Sequence, residues 1–397
     1  MRPAIRARTG GDRLGDASPL RGTATPATVR VPFGSLDADY RARRSVIDAA
    51  IARVLGRGRF ILGEEVAAFE RALAGRLGAA RAVACASGTD AIALALSAAG
   101  AGPDDEVLLP ANACVPVLAG VRLAGARPRF ADVDRETLTL GRAEAGRALT
   151  ARVRFVLAVH LYGGLADTEG LRALAREKGL VLVEDCAQSL GASTSGGEAG
   201  SLGLPAAFSF YPTKNLGAYG DAGAVATNDE GLAGRVERLR QYGWSRRDVS
   251  ETEGRNSRMD ELQAAILLAK LPFLDEDNAR RREIARRYDA ALASLPLRLL
   301  RARSGSTPAP HLYPIRTAAR DELARHLAAN GIETGIHYPV PLHLQPAWAS
   351  LGHRPGDFPV SEEACETVLS LPIYPTLSDE QQEAVVSGVR GFFRGTA

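Results

Sequence analysis

From residue 81 onward, short apolar runs alternate with longer stretches whose apolar positions recur every three or four residues. RAVACAS (81–87), DEVLLPA (105–111), RPRFADVD (127–134), RVRFVLAVHLYG (152–163) and LVLVEDCA (180–187) read as strands. DAIALALSAAG (90–100), VPVLAGVRLAG (115–125) and residues 167–179 read as the helices between them. Strands alternating with helices predict an α/β fold, a mostly parallel sheet sandwiched by helices. AAFSFY (206–211) and AGAVATN (222–228) follow too closely for a crossover helix, so that pair is predicted antiparallel.

Residues 36–80 are predicted helical, as is a long stretch near 258–295 that closes a large domain and opens a smaller one. A Ser/Gly/Pro-rich linker follows near 303–310. HLYPIRT, a helix at 320–330, IETGIHYP and helices near 361–370 and 378–393 then give the C-terminal part an α+β character. The expected division is a disordered extension over 1–30, a large α/β domain over 31–270 and a smaller α+β domain over 271–397. The extension carries arginines, Gly, Pro and Thr but no apolar segment of the kind a secretory signal requires.

Composition excludes several classes. A net charge of +3 with arginines spread along the chain gives no footprint for nucleic acid, and no apolar run reaches the roughly 20 residues of a membrane helix. The cysteines at 85, 114, 186 and 365 stand too far apart for a metal motif or a disulfide framework, which points to a reducing cytoplasm. Of 49 basic residues only Lys178, Lys214 and Lys270 are lysines. A chain that uses arginine wherever a positive charge suffices keeps lysine for what guanidinium cannot do, such as forming an imine through an amine that can lose its proton. Lys178 and Lys270 fall in helical patterns with a plain surface reading, whereas Lys214 lies in a glycine-containing loop, SFYPTKNLGAYGDAGAV, between two strands.

Three further features bear on that lysine. Ser87-Gly88-Thr89 ends a strand and opens a helix, where backbone N–H groups can hold a phosphate or form an ordinary turn capped by Thr89 or Asp90. Asp185 ends an apolar strand, as a partner for a pyridinium nitrogen or as a turn former, and Gln188 follows as a hydrogen-bonding group for a ring oxygen or for the loop. Ser209 could donate to the phosphate. Together with Lys214 they make a constellation for pyridoxal 5'-phosphate (or pyridoxamine 5'-phosphate) stronger than any one of its parts. The chain contains no G-x-x-x-x-G-K-[ST], H-E-x-x-H or G-x-S-x-G motif.

FILGEEVAAFE, SGTDAIALAL, VHLYG, VEDCAQ, SFYPTKNLG, NSRMDELQAA and HYPVPLHLQPAW, in that order, resemble the DegT/DnrJ/EryC1/StrS sugar aminotransferases, a fold-type-I group of pyridoxal-phosphate enzymes, over about residues 31–393. The resemblance implies that Lys214 binds the cofactor as an imine, that Asp185 pairs with the pyridine nitrogen and that Gly88, Thr89 and Ser209 bind the phosphate. It implies that Gln188 bonds the ring oxygen and that Asn256 reaches the phosphate of a neighbouring subunit in a homodimer with shared sites; the plain reading of Asn256 is a helix N-cap. L-glutamate or L-glutamine would supply the amino group and a ketosugar, usually nucleotide-linked, would accept it. His160, Tyr162, Arg246, His337 and His343 match stretches expected to border the substrate, with a folding role as the alternative for each. Two departures stand out. Asn112 and Cys114 occupy a segment where many relatives carry a ring-stacking aromatic, and Asp221-Ala222-Gly223 stands where an acidic-Gly-Gly sequence is common. Three other readings are a transaminase for a cyclitol or other free ketone, a pyridoxamine-dependent sugar dehydratase (opposed by Lys214, since those relatives replace the lysine) and a non-catalytic cofactor-binding regulator.

Overall fold

The computed structural model describes residues 29–201 and 205–395; most of the segment expected as an extension lies outside them. Seven strands form the central sheet. Their spatial order is Arg81–Cys85, Gly223–Thr227, Ala206–Ser209, Val181–Asp185, Val153–Val159, Glu106–Pro110, Arg127–Ala131. Only Gly223–Thr227 runs against the rest, pairing antiparallel with both of its neighbours. The remaining pairs are parallel, as expected for strands joined by crossover helices.

Side-chain alternation explains why these strands read as continuous apolar runs. Val83, Val107, Leu157, Val183 and Val225 point to one face and pack with the helices Gly88–Ala98 and Val115–Leu123. On the other face Leu108, Val156, Ala158 and Leu182 pack with the helix Thr168–Lys178, while Ala84, Phe208 and Ala224 pack with the helix Glu64–Leu77. A sheet covered on both faces has no polar side to show in its sequence. The helix Gly88–Ala98 is apolar nearly all round for the same reason, with Ala91 to Leu96 all buried.

The C-terminal part has its own core. Arg298–Leu299, Tyr313–Arg316 and Val368–Leu371 form an antiparallel sheet packed against the helices Leu274–Leu292, Arg320–Ala329 and Asp379–Gly395 through Tyr288, Leu323, Leu371 and Val385. Val31 belongs to this cluster too: its N–H donates to Gly331 and its carbonyl accepts from Glu333.

Three local expectations are corrected. The helix expected over 361–370 ends at Thr367, and VLSL is instead a buried strand. The segment 303–310 is no free linker, because Ser306–Thr307 pairs with Ser193–Thr194. The long helix near 258–295 is broken at Pro272 into Glu261–Lys270, a 3-10 turn and Leu274–Leu292. No helix of the described residues is long and apolar enough to cross a membrane.

One carboxylate ties two distant segments together. Glu261 is buried and accepts hydrogen bonds from the backbone N–H groups of Gly63 (2.8 Å), Glu65 (2.9 Å) and Val66 (2.9 Å), capping the helix Glu64–Leu77 from outside its own sequence. A carboxylate on otherwise orphaned helix N–H groups is favoured by both hydrogen bonding and the helix dipole. Glu261→Ala is expected to destabilise the fold by about 3 kcal/mol, since three buried donors lose a charged acceptor. The melting temperature should fall by several degrees while Glu64→Ala, at an exposed position of the same turn, leaves it nearly unchanged; equal shifts would refute the assignment.

Candidate active site

All the parallel strands end at one edge of the sheet, and the residues singled out in the sequence collect there. Asp185 ends its strand on the same face as Val183, the face covered by the helix Gly88–Ala98. It is 3% exposed, and its Oδ1 accepts the Ala187 N–H at 3.0 Å. Burial raises its pKa above the ordinary carboxylate value, an effect that Ala187, Lys214 and His160 partly offset.

Lys214 sits in the turn after the strand Ala206–Ser209, held by its own N–H to the Tyr211 carbonyl. Its ammonium makes no hydrogen bond or ion pair with a described residue, although it lies in the field of Asp185 and Cys114. Burial lowers its pKa from the ordinary lysine value, so its neutral amine is more accessible than that of a surface lysine.

Between Ser87 and Ser209 the backbone comes very close. The Ser87 side chain caps the helix by accepting the Asp90 N–H at 3.1 Å, so neither Thr89 nor Asp90 is the cap. The N–H groups of Gly88 and Thr89 remain at the open positive end of the helix. A Cβ at Gly88 would stand 2.5 Å from the Ser209 Cβ and 2.9 Å from its Oγ, so only glycine leaves room for an anion between turn and hydroxyl. Ser257 Oγ accepts the Ala86 N–H and donates to Asp90, which brings the segment containing Asn256 alongside. Asn256 itself is exposed, and the N-cap position of the following helix is taken by Asp260, whose side chain makes no capping hydrogen bond.

Gln188 is buried. Its Oε1 accepts the Tyr162 N–H at 2.6 Å and its Nε2 donates to the Tyr338 hydroxyl at 3.0 Å. The same hydroxyl interacts with Cys114. The segment that lacks an aromatic of its own is therefore met by the ring of Tyr338, a residue inside HYPVPLHLQPAW that the sequence reading passed over. Asn112 is turned away, donating to the Leu138 carbonyl at 2.9 Å. The extra methyl of Ala222 is buried in the core cluster that also contains Phe208 and Phe210.

The substrate-bordering candidates separate. His337 lines a cavity of about 460 Å³ beside Lys214, stacked on Phe33 and bonded to Ser370 Oγ at 3.0 Å; burial and the Lys214 charge lower it to about 4. Tyr162 is buried, with its hydroxyl on the His337 carbonyl. Arg246 is exposed on the hairpin Trp244–Arg246/Val249–Ser250. Neither His160 nor His343 lines the cavity: His160, within the field of Asp185, bridges the Ala166 N–H and Glu184 Oε1, and His343 bonds Glu362 at 3.0 Å against Phe358. Lys270, expected on the surface, is buried, donating to the Gly217 carbonyl at 2.8 Å and pairing with Asp39. His311 and Arg281, which no motif marked, line the cavity with it.

A buried amine for an aldehyde, a buried carboxylate for a ring N–H, and a glycine-floored turn with a facing hydroxyl for a phosphate are the donor set pyridoxal phosphate requires. The residues fit that group.

Residues 42–390 match the model of the DegT/DnrJ/EryC1/StrS aminotransferase family. The erythromycin biosynthesis sensory transduction protein EryC1 of Saccharopolyspora erythraea is 45% identical over 361 residues, 91% of this chain and 99% of that protein. The dTDP-3-amino-3,4,6-trideoxy-alpha-D-glucose transaminase of Streptomyces venezuelae is 45% identical over 364 residues, 91% of this chain and 96% of that one. The crystal structure of S. venezuelae DesV in complex with a ketimine intermediate aligns with a TM-score of 0.90 at 45% identity, over 91% of this chain and 98% of that one.

The raised pKa of Asp185 carries a sign for stability. Its folded value lies above the unfolded one, so its contribution is fully present at low pH and lost as pH rises through the folded value. In cofactor-free protein Asp185→Asn should therefore raise the melting temperature at pH 7 relative to wild type, and the gain should shrink toward pH 4. A mutant less stable than wild type at pH 7 would mean that the carboxylate is structural.

Proposed function

The chain belongs to the DegT/DnrJ/EryC1/StrS aminotransferase family, and from that membership we propose that it moves an amino group from L-glutamate, or L-glutamine, onto a nucleotide-linked ketosugar. It is an aminotransferase, and its cofactor is pyridoxal 5'-phosphate, alternating with pyridoxamine 5'-phosphate. The observation that carries the substrate reading is the likeness, along nearly the whole chain, to a transaminase named for a dTDP-linked amino sugar.

The cofactor supplies an aldehyde that takes up the amino group and a ring that withdraws electrons from the carbon being deprotonated. The chain supplies the rest. Lys214 Nζ, its pKa lowered by burial, is the amine that would hold the cofactor's aldehyde and, when free, would carry the proton at the substrate carbon. Asp185 is the carboxylate that would pair with the ring nitrogen and keep a proton there, which would sustain the electron withdrawal. The N–H groups of Gly88 and Thr89 with the Ser209 hydroxyl would anchor the phosphate. Gln188, oriented by the Tyr162 N–H, would bond the ring oxygen. His337, lowered to about 4, is neutral near pH 7 and serves as a hydrogen-bonding wall of the substrate cavity.

Asn256 we assign to the phosphate of a second subunit. It is exposed, yet its neighbour Ser257 is locked to the phosphate turn of its own subunit, so a homodimer in which the two turns face each other would give Asn256 its partner. The cytoplasm is the compartment we infer, since all four cysteines are free thiols.

The visible absorption spectrum tests the central claim. Purified wild type should show an imine band that fades on addition of L-glutamate as the pyridoxamine form appears, and Lys214→Ala should lack the band or show it altered. Lys214→Arg, which keeps the charge but cannot form an imine, should behave as Lys214→Ala does. A wild-type band that neither L-glutamate nor L-glutamine changes would remove the donor assignment and favour another donor or a regulatory role.

A further inference from the structure

We propose that the cavity beside Lys214 contains a carboxylate-binding subsite for the amino donor, formed by the free edge of Arg281 together with His311 and the Tyr374 hydroxyl. The inference rests on the aminotransferase reading and adds to it the residues that recognise the donor.

Arg281 lies on the helix Leu274–Leu292 and is 6% exposed. All its hydrogen bonds leave from Nη1, to the carbonyls of Pro310 (3.3 Å), His311 (3.4 Å) and Ile373 (2.9 Å). These partners are neutral, and no carboxylate of a described residue stands within ion-pair distance. Three carbonyls on one nitrogen fix the plane of the guanidinium, while its Nε is buried without an acceptor and its Nη2 bonds no described residue. The Nε–Nη2 edge is the one that matches a carboxylate with two parallel hydrogen bonds.

Two more groups on the same wall have no partner. His311 is 7% exposed and neither ring nitrogen bonds a described residue; the Tyr374 hydroxyl is likewise buried and unpaired. Buried polar atoms left in this state are uncommon, and three residues that carry them line one cavity, which points to a ligand that completes them. The cavity, about 460 Å³, is ample for an amino acid and also holds Lys214, where the amino group must react.

Charge selects the ligand. The acidic side chains at the cavity, Asp39 and Asp277, are already held by Lys270 at 2.8 Å and Arg43 at 2.6 Å. Arg281 lies in the field of Asp277 but forms no ion pair with a described residue, and burial, followed by the charges of Lys214, Arg281 and His337, depresses His311. A carboxylate balances one guanidinium, whereas a diphosphate would bring surplus negative charge close to two aspartates. That difference favours the amino donor over the nucleotide as occupant.

Calorimetric titration of the holoenzyme with glutarate, a dicarboxylate that cannot transaminate, measures the subsite without turnover. His311→Phe and Tyr374→Phe should weaken glutarate binding, with His311→Phe losing about tenfold, and Arg281→Met should abolish it. Because Arg281 also anchors three carbonyls, its variant counts only if its melting curve and far-UV spectrum match wild type; the other two remove no hydrogen bond made to a described residue. In the first half-reaction the concentration of L-glutamate giving half the maximal rate should rise by the same factors, with the limiting rate and the affinity for dTDP or UDP unchanged. Wild-type glutarate affinity in folded His311→Phe and Tyr374→Phe would overturn the proposal, as would loss of nucleotide binding with glutarate unaffected, which would give the cavity to the nucleotide. Glutarate binding lost in the variants, but no spectral response of wild type to L-glutamate, would leave the subsite standing and remove L-glutamate as donor.

Discussion

Buried Asp185 and half-buried Lys214 lie within each other's electrostatic field and yet form no ion pair. Two opposite charges held apart in a poorly solvated site cost free energy that a direct contact would recover. The separation is imposed by the sheet: Asp185 is fixed by the end of its strand and the Ala187 N–H, and Lys214 by the turn after the neighbouring strand. Collapse of one onto the other would require moving parallel strands buried on both faces. The core therefore keeps open a gap into which a ring bearing a protonatable nitrogen at one end and an aldehyde at the other can fit.

The same edge geometry explains which features could be read from the sequence. Strand-helix alternation survives in the hydrophobic pattern because each crossover helix must cover the sheet, and the scarcity of lysine makes Lys214 visible without any coordinates. Asp185 and the Ser87–Thr89 turn are legible because open sheets gather ligand groups at strand ends. Val368–Leu371 was misread because four apolar-rich residues following a helix carry no period of their own.

Individual side chains whose role the sequence leaves open have a different cause in common. His160 and His343 look like binding residues in sequence because nothing there shows Glu184 or Glu362 beside them. Lys270 looks like a surface lysine at a helix end until the first helix brings Asp39 to it. Arg281 is one arginine in NARRREIARRY, and what sets it apart from its neighbours is a convergence of carbonyls from Pro310, His311 and Ile373. Local pattern reports propensity and burial; partners distant in sequence decide what a buried polar group does.

That convergence links the two halves of the molecule. Pro310 and His311 lie just before the first long strand of the C-terminal sheet and Ile373 just after the last, so Arg281 staples the entrance and exit of that sheet to the helix Leu274–Leu292. A neutral residue could pack there, but it could not bind three carbonyls through one nitrogen while leaving a charged edge free. If stability alone were at issue, an uncompensated buried guanidinium would be a poor choice, because its desolvation is repaid only when an anion completes it. The arrangement is economical if the anion is a substrate: the staple sets the orientation, and the binding free energy of the carboxylate is realised only when the donor arrives beside Lys214.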